Sequence, residues 1–158
     1  MERKFRSVAV GGTFDEFHKG HRALIMKALE VGERVLIGLC TDEFARNLWK
    51  QHDITAYETR LGELMEFLGE QGVLNRAKIM PLDDPYGVTL SRGCVKAIVV
   101  SRETEPVARE INVKRERKGL PPLEVIVIEM VPAENHVPVS TTRILDGEID
   151  REGRLLGK

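Results

Sequence analysis

The stretch GGTFDEFHKGH, Gly11 to His21, joins a short apolar run to a segment with helical spacing. The run SVAV, which begins at Ser7, has the hydrophobicity of a strand that is covered on both faces. In the segment HRALIMKALEVG, apolar residues recur at helical spacing, and Gly32 predicts the end of the helix. The stretch is therefore the turn of a strand–turn–helix unit, and its polar residues belong at the carboxyl end of the strand.

The rest of the chain repeats this alternation. Four more apolar runs rich in β-branched residues have the length of strands, and they begin at Arg34, Ala77, Lys96 and Glu124. Helical spacing lies between them at residues 59–72 and, in a strongly charged segment, at residues 103–118. Strands that alternate with helices predict right-handed crossovers and a parallel sheet. We expect an α/β fold, a Rossmann-like three-layer domain with a five-stranded parallel sheet, and one domain over residues 1–158.

The composition limits the classes of partner. The 158 residues are 42% hydrophobic and 31% charged, a globular balance, and the formal net charge of −1 gives no general attraction to nucleic acid or to an anionic membrane. The two cysteines, Cys40 and Cys94, are too few for a disulfide framework and lack the spacing of a zinc site. No signal-peptide or membrane-span pattern is evident. We expect a cytoplasmic protein that binds neither nucleic acid nor membranes.

The opening stretch carries the chemistry of an anion site. Gly11 and Gly12 permit a tight turn and close approach of a ligand, but their order fits neither a dinucleotide fingerprint nor a P-loop. His18 and His21, with Gly20 between them, share one face of the first helical turn. Free amides and the positive end of the helix dipole would lie there too. These features predict phosphate binding; the alternatives are two exposed histidines, or two metal ligands together with Asp15.

Two further helix starts are rich in hydroxyl groups. Ser101 and Thr104 follow the fourth strand, and residues 140–142 precede a short C-terminal helix. Either start could bind a second anionic group, and the arginines that could extend over the first of them are Arg102, Arg109 and Arg115. The alternative interpretation is ordinary helix capping with solvated charges.

Two weaker candidates concern a second substrate. The segment Asp83-Asp-Pro-Tyr-Gly has the composition of a turn, in which Asp83 or Tyr86 could line a pocket. Lys50 lies beyond the second strand, where a single lysine is usually solvated surface.

These motifs identify a family by resemblance. GGTFDEFHKGH resembles the GTFD and HxGH motif of the nucleotidyltransferase superfamily, and VSTTRIL, which begins at Val139, is similar to its C-terminal ISSTxIR motif. The segment SRETEPVAREINVKRERKGLPPLEVIVIEMV, from Ser101, resembles the archaeal and eukaryotic-type phosphopantetheine adenylyltransferases, as do TDEFARN and GEIDREG. The likeness covers nearly the whole chain. It implies transfer of AMP from ATP to 4'-phosphopantetheine, giving dephospho-coenzyme A and pyrophosphate in coenzyme A biosynthesis, with Mg²⁺ bound mainly through the ATP phosphates and no dedicated protein metal site.

The resemblance also implies roles for residues. His18 and His21 would contact ATP phosphates, and His21 would stabilise charge at the α-phosphate in the transition state. Thr13 would hold the attacking phosphate, and the Phe14 backbone would bind ATP. The rest of the nucleotide site would comprise Gly12, Gly20, Ser101, Arg102, Glu103, Ser140, Thr141, Thr142 and Arg143. The acceptor site would add Lys50, Asp83, Tyr86 and Arg115.

The chain departs from the family pattern at Leu145, where the ISSTxIR motif has a basic residue; Arg143 or an arginine in 102–115 would replace it. The HxGH motif reports the nucleotide rather than the acceptor. Nicotinamide-nucleotide adenylyltransferase and glycerol-phosphate cytidylyltransferase are therefore the nearest rivals, and the segment 102–130 favours phosphopantetheine. A nucleotide-binding module without catalysis and an HxxH metalloprotein are the remaining alternatives.

Overall fold

The computed structural model describes residues 4–48, 54–90, 95–129, 131–133 and 139–156. The strands are β1 (Phe5–Gly12), β2 (Gly32–Cys40), β3 (Ala77–Leu82), β4 (Ala97–Ser101) and β5 (Glu124–Ile128). The α-helices are α1 (Lys19–Val31), α2 (Asp42–Leu48), α3 (Tyr57–Glu70), α4 (Glu105–Arg117) and α5 (Thr141–Leu145). Short 3₁₀ turns cover Leu74–Arg76 and Gly87–Leu90.

The five strands form one sheet in the order β3-β2-β1-β4-β5, and every neighbouring pair is parallel. This result confirms the predicted α/β fold with a five-stranded parallel sheet. The chain first moves outward from β1 to β3 and then returns to the other side of β1 with β4. The strand order reverses between β1 and β4, and a ligand crevice is expected outside their carboxyl ends.

Helices cover both faces of the sheet. On one face, Val8 and Val10 of β1 pack in a cluster with Ile25 of α1 and Leu64 of α3. On the other face, Ala9 of β1 packs in a cluster with Ala108 and Ile111 of α4. Alternate residues of a strand point to opposite faces, so a strand buried on both sides is apolar throughout. The predicted three-layer arrangement is confirmed.

The end of α1 has a different cause from the one predicted. Gly32 has a φ of −117°, which other residues also adopt, and β2 begins at Gly32 without an intervening loop. A Cβ atom on Gly32 would lie 2.6 Å from Cγ2 of Val8 and 3.2 Å from the carbonyl oxygen of Ala28. Glycine is required here because the backbone passes so close to β1.

The Ile-Asn-x-x-Arg run of α4 serves the fold. The Asn112 amide donates to the carbonyl of Leu123 at 2.9 Å and accepts from the Leu123 N–H at 2.8 Å, which fixes the entry to β5. Arg115 is 1% exposed, and its guanidinium donates to the carbonyls of Pro121 at 2.8 Å and Thr89 at 2.6 Å. The structure thus corrects the predicted substrate contact of Arg115, because its side chain is buried on main-chain carbonyls.

Candidate active site

Two imidazoles cap the start of α1. His18 is the N-cap residue, and its Nδ1 accepts from the N–H groups of Gly20 at 3.0 Å and His21 at 3.3 Å. In return, the N–H of His18 donates to Nδ1 of His21 at 3.2 Å. This reciprocal pair is a capping box in which histidines replace the usual hydroxyl and carboxylate residues.

The capping box changes the predicted nature of the anion site. The first four amides of α1 are not free, because Lys19 N–H donates to Arg151 O at 2.8 Å, Arg22 N–H donates to His18 O at 3.0 Å, and those of Gly20 and His21 donate to His18. At the start of α1, the donors left for an anion are those of the rings. Since Nδ1 accepts in both rings, the neutral form of each carries its proton on Nε2. Neither Nε2 has a partner within the described residues, and both histidines line the cleft.

Both rings are held in the neutral form. The pKa of His18 is lowered from 6.5 to about 4, mainly by burial and in addition by the positive charges of Arg22 and Arg151. Burial also lowers the pKa of His21 well below its usual value, with added effects of His18 and the same two arginines. The two rings stack with centroids 3.6 Å apart. The interpretation as two exposed histidines is therefore wrong, since His18 is 5% exposed and the pair forms a fixed set of uncharged donors.

The turn between β1 and α1 has an unusual backbone. Phe14 and Glu16 have φ values of 52° and 50°, in the left-handed region that few residues other than glycine adopt. Phe14 is buried and meets the His21 ring edge-on, with centroids 5.3 Å apart. Phe17 stacks on His21 at 5.9 Å. Such strain persists where the surroundings fix the chain, and here aromatic packing fixes it next to the histidines.

Asp15 connects this turn to two distant segments. Its Oδ1 accepts from the Thr55 N–H at 3.2 Å, and its main-chain carbonyl accepts from Oγ1 of Thr141 at 3.1 Å. Asp15 is 3% exposed, and its Oδ2 has no hydrogen-bond partner within the described residues. The residue thus joins the turn to the chain before α3 and to the start of α5.

Arg60 of α3 was not predicted as a site residue. It is 1% exposed, and its guanidinium donates to the carbonyls of Thr13, Cys40 and Thr55 and to the Asp42 carboxylate. A sequence signal existed, because Arg60 lies four and eight residues before Leu64 and Leu68 on the buried stripe of α3. A charged residue in such a stripe requires partners of its own.

The predicted nucleotide residues meet in one cleft of about 430 Å³ at the carboxyl ends of β1, β2 and β4. The structure brings together eleven of them, namely Gly12, Thr13, Phe14, His18, Gly20, His21, Ser101, Glu103, Ser140, Thr141 and Thr142. The structure shows only that they share one cleft, and their contacts with ATP stay predictions. The cleft also includes Asp15, Cys40 and Glu129, which were not predicted to bind ATP.

Arg102 and Arg143 do not line the cleft. Arg102 is exposed and pairs with Glu129 at 2.9 Å, while Nε of Arg143 donates to Glu148 at 2.8 Å. Their contacts with the nucleotide stay predictions. Ser140 caps α5 by accepting from the N–H of Arg143 at 3.2 Å, so ordinary capping explains at least this hydroxyl.

A smaller, mostly apolar pocket of about 60 Å³ lies beside the cleft, and Gly11 lines both. Tyr86 lines this pocket, and its hydroxyl donates to Glu110 at 2.8 Å. Asp83 is exposed and lines neither cavity, whereas Asp84 makes the predicted turn by accepting from the N–H groups of Tyr86 and Gly87 at 2.8 Å each. Lys50 lies outside the described residues.

The motif, the sheet order and the cleft agree with a known family, whose cytidylyltransferase-like model matches residues 9–147. The chain belongs to this cytidylyltransferase-like family. A phosphopantetheine adenylyltransferase of Methanothermobacter thermautotrophicus is 49% identical over 156 residues, which are 99% of this chain and 93% of that protein. One of Methanopyrus kandleri is 46% identical over 93% of this chain and 92% of its own length. A crystal structure of a protein with unknown function from Archaeoglobus fulgidus has a TM-score of 0.72 and 28% identity, over 85% of this chain and 99% of that one.

Within the described residues, no three histidine, cysteine, aspartate or glutamate side chains are grouped so as to hold a metal ion. The HxxH pair thus lacks a third ligand in this part of the chain. In the same part, none of the helices has the length and apolar character that a membrane crossing requires.

Proposed function

We propose that the protein transfers AMP from ATP to the phosphate of 4'-phosphopantetheine, giving dephospho-coenzyme A and pyrophosphate. The observation that carries the proposal is the pair of neutral Nε2 donors, which a capping box fixes in the cleft at the carboxyl ends of β1, β2 and β4. We infer the acceptor from the names of the archaeal relatives, which are 40–49% identical over nearly the whole chain.

The residues of this chain would act by position and hydrogen bonding. An oxygen of the acceptor phosphate would attack the α-phosphorus, and the bond to the β-phosphate oxygen would break as pyrophosphate leaves. The attacking phosphate is already anionic, so no general base is needed. His21, with His18 beside it, would donate from Nε2 to oxygens on which charge grows, and fixed donors of this kind favour the transition state over the ground state. Thr13 would hold the acceptor phosphate in line.

The smaller pocket suits the acceptor's arm. Its lining includes Leu36, Met80, Leu82 and Ile111, with Tyr86 at the side. Gly11 separates it from the phosphate cleft, so a ligand that enters both would pass over a residue without a side chain. Phosphopantetheine has this form, with a phosphate at one end and a long, mostly uncharged arm at the other. We assign Tyr86 to this pocket and leave Asp83 and Arg115 out of it.

The cleft is compatible with Mg²⁺ that arrives on ATP. Asp15, Glu103 and Glu129 line it with carboxylate oxygens, the ligand type that Mg²⁺ takes, and Asp15 Oδ2 is buried without a partner in the described part. Since no described cluster forms a cage, the ion would be held mainly by ATP phosphates and water. When bound, it would neutralise charge on the phosphates.

The direct test is pyrophosphate release from ATP and Mg²⁺ with 4'-phosphopantetheine, nicotinamide mononucleotide or, with CTP in place of ATP, glycerol phosphate. We expect release with phosphopantetheine and formation of dephospho-coenzyme A by mass spectrometry. Release with another acceptor alone would replace the proposed substrate, and release with none would reject catalysis. An enzyme with His21→Ala is the control for a contaminating activity.

A further inference from the structure

We propose that Arg60 is a positioning residue, which orients the peptide between Thr13 and Phe14 so that the N–H of Phe14 faces the nucleotide phosphates. This inference rests on the proposed function, because it concerns ATP in the same cleft. Arg60 itself does not line the cleft, so it would act through the main chain.

The contacts of Arg60 link the ends of two neighbouring strands. Nη1 donates to the carbonyl of Thr13 at 2.9 Å, just beyond β1, and to that of Cys40 at 2.8 Å, the last residue of β2. Nε donates to Thr55 O at 2.6 Å, and Nη2 pairs with Asp42 at 2.9 Å. Only the rigid, five-donor fork of arginine can satisfy so many acceptors at fixed angles.

The bond to Thr13 determines where the next N–H points. The peptide that joins Thr13 to Phe14 is trans, so its C=O and N–H point in opposite directions. Because Arg60 holds the carbonyl on its own side, the N–H of Phe14 points away from Arg60. Both residues of the peptide line the cleft, and Arg60 does not.

The N–H of Phe14 has no partner within the described residues, although Phe14 is 1% exposed. Buried main-chain N–H groups are nearly always paired, and an unpaired one calls for a ligand or ordered water. The φ of 52° at Phe14 shows that this peptide is held in an orientation the residue does not favour. A buried, oriented donor that has no partner in the described part of the chain, in the cleft that both imidazoles line, is suited to a phosphate oxygen.

The test compares Arg60→Lys with Arg76→Lys. Arg76 is a matched control, because its guanidinium also donates to three carbonyls, that of Leu29 in α1 and those of Gly32 and Glu33 at the start of β2. These carbonyls lie at the amino end of β2, opposite to the cleft. Both variants should lower the Tm. Only Arg60→Lys should weaken ATP binding in calorimetry, by about tenfold or more, as expected for a lost hydrogen bond to a charged group. Its kcat should fall as well, with a smaller change in KM for the acceptor.

Unchanged ATP affinity, within twofold, in folded Arg60→Lys would overturn the inference. If that variant does not fold, the wild-type protein decides by ¹⁵N NMR. Titration with a non-hydrolysable ATP should move the Phe14 amide downfield, and a Phe14 resonance that stays in place would equally overturn the inference. Both readouts measure ATP binding, so they remain valid if the protein releases no pyrophosphate with phosphopantetheine, a result that would reject the proposed acceptor alone.

Discussion

At the scale of single residues, His21 combines two tasks that substitutions can separate. Its Nδ1 accepts from the N–H of His18 and stabilises the helix start, while its Nε2 is left for a ligand. His21→Ala should lower kcat by about a hundredfold to a thousandfold, the usual effect of removing a donor aimed at transition-state charge. It should also lower the free energy of unfolding by about 1 kcal/mol, because a helix cap is lost.

The control for this prediction is His21→Gln. Glutamine at this position can reach back to the N-cap N–H, so it should retain most of the stability but not the imidazole donor. Steady-state kinetics and urea unfolding measure the two effects. Near-normal turnover in the alanine variant would contradict the catalytic role of His21.

The decrease in the free energy of unfolding at acidic pH should depend on His18. Its pKa is about 4 in the folded protein and 6.5 when unperturbed. At a pH between these values, His18 is therefore protonated in the unfolded chain but neutral in the folded protein. Stability is therefore fully present above pH 6.5 and falls as the pH decreases toward 4, by up to about 1.4 kcal/mol per pH unit for one histidine. Urea unfolding at pH 7, 6 and 5 measures the slope.

His18→Asn removes the contribution of His18 and leaves that of His21, because asparagine also caps helices but does not titrate. The variant should show a shallower decrease in the free energy of unfolding between pH 7 and 5. Arg22 and Arg151 remain in place, so their charges do not confound the comparison. Equal slopes in the two proteins would exclude His18 as the titrating group.

Residue types and spacing were sufficient to predict the histidines, but not how they are bonded. The prediction of free amides at α1 was wrong, because the imidazoles themselves use those amides. Arg60 and Arg115 illustrate the same limit, since a sequence does not reveal which carbonyls an arginine will meet. Tertiary packing determines which carbonyls surround a buried arginine. Arg115 was therefore predicted as a site residue, and Arg60 was overlooked.

At the scale of elements, Gly32 should tolerate no side chain, since the tight junction between α1 and β2 depends on it. In Gly32→Ala the new Cβ would lie 2.6 Å from Cγ2 of Val8, which is buried in the sheet core. We expect a loss of about 1–3 kcal/mol in the free energy of unfolding, as for other overpacked sites. Gly62→Ala is the control, because no atom lies within 4 Å of its Cβ position. In the middle of α3 it should stabilise by up to about 1 kcal/mol. Equal effects in urea unfolding would contradict this account.

The element pattern was predictable where apolar runs are continuous. All five strands were found because each coincides with a short apolar run, and the long helices because their apolar stripes extend over several turns. The seven-residue α2 was not predicted, since so short a helix shows less than two periods. Its start depends on a tertiary contact, because the Asp42 carboxylate accepts from the Tyr57 N–H at 2.8 Å and pairs with Arg60.

At the scale of the whole molecule, the cleft joins segments that are far apart in the chain. Its lining includes the turn after β1, the residues after β4 and residues 139–142. The Thr141 hydroxyl reaches Asp15 O, and the Arg151 carbonyl accepts from Lys19 N–H, so the C-terminal segment is packed on the histidine turn. The order of parallel strands predicts this convergence in outline. The position of the C-terminal segment was found only through resemblance, because no strand or long helix directs it.

A ligand that binds across these segments should stabilise the protein as a unit. ATP at a hundred times its measured Kd should add about 2.7 kcal/mol to the free energy of unfolding, which corresponds to a rise in Tm of about 5–10 °C for a domain of this size. The rise should increase with the logarithm of ATP concentration in calorimetry. At the same ATP concentration it should be smaller in His18→Asn, which lacks one Nε2 donor, and unchanged in Gly62→Ala, which is remote from the cleft. A Tm that does not depend on ATP, or an equal rise in all three proteins, would show that the cleft does not bind the nucleotide through the histidine turn.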